Sequence, residues 1–126
     1  MPIEVKYDDQ RKILDIHVSG KPTLSEVTST LETITSSKDY PPDTGAIWDI
    51  RQADLSSFEP ELIGKLIELR SQFKQRVRLK SVFIATTSLQ LAFSRAIILH
   101  AERKIPQEAM VFKEYSEGEK FILEGQ

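Results

Sequence analysis

Cysteine is absent from the chain, which removes disulfide scaffolding, thiolate nucleophiles and thiolate metal ligands from the readings open to it. No apolar run approaches the roughly 20 residues that a membrane-spanning helix requires. A basic excess is missing too. Lys and Arg number 17 against 19 Asp and Glu, a net charge of -2, so nothing draws the chain globally to nucleic acid or anionic lipid. Glycine (5) and proline (6) are sparse and fall at boundaries, which leaves no linker, low-complexity tract or internal repeat. Met1-Pro2-Ile3-Glu4 lacks the basic start and apolar stretch of a signal peptide, so the expected compartment is the cytoplasm. What is present is ordinary: 126 residues with 40% apolar content, enough to bury about two thirds of the unfolded surface in a single domain spanning 1–126.

Ile3, Val5 and Tyr7 alternate with Glu4, Lys6 and Asp8, and the alternation resumes from Ile13 to Val18 after the turn Asp8-Asp9-Gln10-Arg11. That spacing predicts an antiparallel hairpin, with Leu14, Ile16 and Val18 on one face and Ile13, Asp15 and His17 on the other. Thr23-Leu24-Ser25-Glu26 is a capping-box pattern, and Leu24, Val27, Leu31 and Ile34 follow at helical spacing. Ala46 to Ile50 reads as a third strand. Pro60 opens a helix expected to run to about Arg76, with Leu62, Leu66, Leu69 and Phe73 along one stripe. Lys80 to Ala85 is apolar on both faces, as a central strand would be. Thr86, Thr87 and Ser88 are the candidate caps of a helix from Leu89 to about Lys104, Ala109 to Phe112 is a fifth strand, and Ser116-Glu117-Gly118-Glu119 repeats the capping-box pattern before a last helix. Alternation after the hairpin implies right-handed crossovers and a mixed, largely parallel sheet.

The order of elements, together with Ile47-Trp48-Asp49-Ile50-Arg51-Gln52-Ala53-Asp54, Ala85-Thr86-Thr87-Ser88-Leu89-Gln90-Leu91-Ala92-Phe93-Ser94-Arg95 and Met110-Val111-Phe112-Lys113, resembles the SpoIIAA-like proteins. These are small bacterial relatives of the anti-sigma-factor-antagonist (STAS) domain, also grouped with the lipid-binding CRAL-TRIO domain. The resemblance implies a single α/β domain with a mixed five-stranded sheet and about four helices; members of the family are mostly of unassigned function, and a non-enzymatic domain is expected from the residues weighed below. In the antagonist branch an Asp-Ser-Ser-Gly-like element opens the second helix, and a partner kinase phosphorylates its serine. The counterpart here is Asp54-Leu55-Ser56-Ser57-Phe58, with an inserted Leu55 and Phe58 in place of glycine, which makes Ser56 or Ser57 the implied acceptor.

Asp49 and Asp54 flank the carboxyl end of a strand, where open α/β sheets bind ligands, yet two acids are too few for an oxygen-ligated cation. No metal or cofactor is therefore expected, and Asp49 is expected to cap loop amides or pair with Arg51. Asp15 and His17 share a strand face as a base and its orienting acid would, and His100 lies near a helix end, but no serine stands in a Gly-x-Ser-x-Gly elbow to serve as nucleophile. No catalytic residue is assigned. The run Arg70, Lys74, Arg76, Arg78 and Lys80 lacks interleaved aromatics beyond Phe73, which favours a solvated helix end over a nucleic-acid surface. The helix from Leu89 carries three apolar stripes: Leu89, Phe93 and Ile97; Ala92, Ala96 and Leu99; and Leu91 and Ile98. One sheet face covers about a third of a helix, so this surplus calls for the last helix, a homodimer contact or a pocket wall. The expected binding residues are Asp49, Arg51, Asp54, Phe93, Arg95 and Ile97. The occupant is a regulatory protein partner or, alternatively, a small apolar acid or lipid held near Phe83, Phe93 and Ile97 with Arg95 at the mouth.

Overall fold

The opening hairpin forms from β1 (Ile3–Asp8) and β2 (Ile13–Gly20), paired antiparallel with Ile3 opposite Val18 and Asp8 opposite Ile13. Asp8 Oδ1 closes the turn by accepting the amides of Gln10 (3.0 Å) and Arg11 (3.2 Å), and Lys12 takes a φ of 56° to reverse the chain. The structure is a computed structural model that describes residues 2–36, 39–40, 44–56, 58, 64–65, 68, 80–104 and 108–124. Thr23 and Glu26 make the expected reciprocal cap, Glu26 N–H to Thr23 Oγ1 at 3.1 Å and Thr23 N–H to Glu26 Oε1 at 2.9 Å. Helix α1 (Leu24–Ser36) follows and buries Leu31 and Ile34, while the Thr30 hydroxyl donates back to the Glu26 carbonyl.

Strand β3 (Gly45–Ala53) lies parallel to β2 and extends beyond the apolar run Ala46 to Ile50. Its polar tail stays in the sheet because β2 supplies partners: Ser19 faces Gln52 and Gly20 faces Ala53 past an irregularity between His17 and Ser19. The remaining elements are β4 (Lys80–Ile84), α2 (Ser88–Lys104), β5 (Glu108–Phe112) and α3 (Tyr115–Leu123). The five strands stand in chain order, β2 through β5 parallel. β3 is thus the middle strand, and β4, expected at the centre, lies between it and the edge. Three helices stand among the described residues against about four expected. The expected helix from Pro60 and the basic run up to Arg78 lie outside the described residues, except that Gly64, Lys65 and Glu68 are helical.

Because each parallel step moves the same way along the sheet, right-handed crossovers place the connecting helices on one face. There Leu14, Ile16, Val18, Ala46 and Ile50 pack with Ile34 of α1, and Leu91 and Phe93 of α2 rest on them. The opposite face carries Ile13, Ile47, Val82 and Ile84 beneath Ile122 of α3. Close approach demands glycine here. A Cβ on Gly118 would stand 2.6 Å from Val82 Cγ1, and one on Gly45 would stand 2.5 Å from Ile122 Cγ2. The second capping box does not form: α3 starts at Tyr115 after Glu114, which makes no side-chain cap bond, and Glu119 turns instead to Arg11. α3 packs on β3, β4 and β5, and the polar row Glu4, His17 and Asp49 on β1, β2 and β3 stands on that same face of the sheet, with Glu4 and His17 exposed.

Candidate functional site

The exit of β3 and the entrance of α2 are joined by one side chain. Gln90, only 3% exposed, accepts the amides of Thr86 (3.0 Å) and Thr87 (3.2 Å) on Oε1 and donates from Nε2 to the carbonyls of Arg51 (3.1 Å) and Ala53 (3.0 Å). All four bonding positions of its amide are filled. Its own N–H goes to Thr87 Oγ1 at 3.1 Å, which selects Thr87 among the three candidate caps. Sequence reasoning missed Gln90, although Thr87-Ser88-Leu89-Gln90 fits the glutamine form of the capping box. Its two donations across to β3 carry no local signal.

Beyond β3 the chain enters an ordered turn. Asp54 is exposed and accepts the Ser56 amide at 3.0 Å. Bonds from the Ser56 side chain and amide, with the charge of Lys21, hold the Asp54 carboxyl below its ordinary range against a small opposing effect of burial. Leu55 is buried beneath this turn, and Phe58 meets Phe93 of α2 edge to face at 5.7 Å between ring centroids. Ser57 lies outside the described residues.

On the α3 side of the sheet Asp49 sits in the fork of Arg51, accepting Nε (2.9 Å) and the backbone amide (3.2 Å) on Oδ1 and Nη2 (2.8 Å) on Oδ2. Burial pushes the Asp49 carboxyl up, but the Arg51 bonds and charge, with His17 nearby, outweigh it and leave it below the usual carboxylate range. Arg51 is raised in turn, its bond to Asp49 outweighing burial. His17 pairs across the strands, Nδ1 standing 3.8 Å from Asp49 Oδ2. The alternative partner, Asp15, is two residues along the same strand, farther than a direct cross-strand neighbour. Asp15 is also engaged elsewhere. It receives Arg11 Nη2 at 2.8 Å and the Tyr115 hydroxyl at 2.6 Å. Arg11 further donates to Asp8 (2.6 Å), to the Tyr115 oxygen (2.9 Å) and to Glu119, binding the hairpin to α3. Burial and the Asp15 bond push the Tyr115 phenol up to about 12, against the lowering effect of Arg11. The Asp8 bond, first among several, carries Arg11 far above its ordinary value. Sequence reasoning missed this network, because Tyr115 and Glu119 lie about a hundred residues along the chain from Arg11 and Asp15.

The residues expected to bind thus divide into three places. Asp49 and Arg51 pair with each other beside His17, and Asp54 belongs to the Ser56 turn. On α2, Phe93 packs on the core, Ile97 is half-buried and Arg95 is exposed. No group of three or more His, Asp or Glu able to hold a metal ion stands among the described residues. The side chain of His100 is outside them. The surplus apolar surface of α2 is at Leu89, 48% exposed, and Leu99, 61% exposed, whereas Leu91 packs on the core.

No family model matches the chain, and no curated protein matches it. Among solved structures it is similar to an uncharacterised protein of the DUF3478 family, with a SpoIIAA-like fold, from Shewanella loihica PV-4. The TM-score is 0.63 at 16% identity, over 95% of this chain and 91% of that one. The chain therefore has the SpoIIAA-like α/β fold that its order of elements resembles. No helix among the described residues is long and apolar enough to cross a membrane.

Proposed function

We propose that the chain is a non-enzymatic, STAS-like regulatory domain of the cytoplasm that binds a protein partner where β3 ends and α2 begins. The observation that carries this reading is the Gln90 bridge. It fixes the turn bearing Asp54 and Ser56 against the first turn of α2, so that exposed polar groups stand on a rigid support at the carboxyl ends of parallel strands. Asp54 and Arg95 supply the exposed charges of this surface, and Phe93 and Ile97 its support. Asp49 and Arg51, already neutralising each other, position the end of β3. Phosphorylation of Ser56 or Ser57 would add charge beside Asp54 and thereby change the partner's fit. The partner is favoured over an apolar acid because Phe93 is spent on Phe58 and the core, while Arg95 faces water.

The test compares tagged wild type with Asp54→Lys and Arg95→Glu, purified from the native host, with native mass spectrometry and melting temperatures in parallel. The expected result is a stoichiometric protein retained by wild type and lost from both variants at unchanged melting temperature. Equal retention by the variants, or a bound small molecule in place of a protein, overturns the reading.

A further inference from the structure

Helix α2 buries Gln90 and Ser94, the Ser94 hydroxyl donating to the Gln90 carbonyl at 2.9 Å, and so turns the side opposite these residues to water. On that side stand Leu89, Ala92, Ala96 and Leu99, with Leu89 48% and Leu99 61% exposed. Their spacing of three, four and three residues is that of a helix-packing seam, and it extends about 15 Å at 1.5 Å per residue.

The stripe is also its own mirror about Ser94. Leu89 lies five residues before Ser94 and Leu99 five after; Ala92 lies two before and Ala96 two after. Antiparallel apposition of two such helices about a two-fold axis sets Leu89 of each copy against Leu99 of the other. The same operation sets each Ala92 against the other copy's Ala96. A two-fold interface requires this kind of self-matching, in which position i meets j and j meets i, whereas an unrelated partner places no such condition on the stripe. The two alanines at the crossing let the axes approach to about 8 Å, the short end of helix-packing distances. Antiparallel alignment also brings the positive end of each helix dipole beside the negative end of the other. No acid stands in the first turn of α2 to oppose this.

We infer that the outer stripe of α2 is the seam of a symmetric, antiparallel contact between two copies of this chain. This contact shares α2 with the proposed partner surface through Arg95, while the Asp54 turn stands outside the seam. A seam of four side chains per copy buries less than the roughly 800 Å² per partner of a standard stable interface, so the dimer is weak and concentration-dependent. Arg95 flanks the seam, and the two-fold sets both copies of it on one solvated rim.

Sedimentation of the wild type from micromolar to millimolar concentration should show one chain passing to two. Leu99→Glu should weaken that association by about tenfold or more, because symmetry removes the contact twice, with the circular dichroism spectrum unchanged. Lys113→Ala, exposed and off α2, should associate as wild type does. The register is read separately, since the chain has no cysteine of its own. Under mild oxidation a mixture of Ala92→Cys and Ala96→Cys chains should cross-link in higher yield than either alone. A wild type that stays monomeric throughout overturns the inference. So does Ala92→Cys linking to itself as well as the mixture does, or a Leu99→Glu chain that dimerises normally.

Discussion

Gly118→Ala should destabilise the protein although alanine is the better helix former. Gly118 is buried in the middle of α3, and relief from glycine would by itself stabilise the helix by about 1 kcal/mol. Against that stands the added Cβ, placed 2.6 Å from Val82 Cγ1 and 2.8 Å from Ile84 Cδ1. The Ile84 methyl ends a flexible side chain and can rotate away. Val82 cannot, being β-branched and wholly buried, so α3 must lift from the sheet and loosen the contact between Ile122 and Gly45. Overpacking of this kind costs about 1–3 kcal/mol, which leaves a net loss of about 1 kcal/mol. Gly64 is the control, a helical, exposed glycine with no heavy atom within 4 Å of an added Cβ, where the same substitution should stabilise by up to about 1 kcal/mol. Guanidinium unfolding with a common slope reads both midpoints. In a Val82→Ala background the clash is gone, and Gly118→Ala should turn from destabilising to neutral or stabilising. A Gly118→Ala protein at or above wild-type stability, or an equal loss in the Val82→Ala background, would refute the packing account.

Two further outcomes follow from the hydrogen bonds. Gln90→Glu keeps the acceptors for Thr86 and Thr87 but turns a carboxylate toward the carbonyls of Arg51 and Ala53, so it should lose about 2–3 kcal/mol at neutral pH and recover part of it on acidification; stability equal to wild type at pH 7 would show that the two donations contribute nothing. Tyr115, whose folded value is raised from 10.0 to about 12, contributes stability that is complete below pH 10 and lost as pH rises from 10 toward 12, so wild type should weaken there more steeply than Tyr115→Phe, and parallel curves would contradict the assignment.

Where a feature depends on neighbours in sequence, the sequence showed it. The hairpin, the Thr23–Glu26 cap, the stripe of α1 and the alternation that sorts Ile13 from Leu14, Ile16 and Val18 are all set by spacing within a few residues. The same reasoning placed Asp49 beside Arg51, two residues apart. It failed on the second capping box for a reason lying a hundred residues away, since Arg11 draws Glu119 off the helix terminus. β3 ran past its apolar core because a polar residue stays in a strand when the adjacent strand offers its backbone a partner.

Periodicity therefore assigns a side chain to a face but leaves its partner on that face open. Asp15 and His17 illustrate the difference: their spacing puts both on one face of β2, as a base and its orienting acid would stand, without saying that they pair. Rise along a strand separates i and i+2 by about 6.6 Å, while direct cross-strand neighbours stand about 5 Å apart at Cβ, so sideways partners have the advantage whenever the adjacent strand carries the right charge. β3 brings Asp49 beside His17, and the Arg11 loop and α3 bring a guanidinium and a phenol to Asp15. Asp15 and His17 thus enter two separate clusters. The Arg11 cluster joins segments distant in the chain and holds α3 to the hairpin, whereas Asp49 and Arg51 pair within β3 and the Gln90 bonds tie the end of that strand to α2. The surface proposed to bind a partner is consequently positioned by the long-range bonds of Gln90, although the residues proposed to form it lie on a turn and a helix that local pattern indicates.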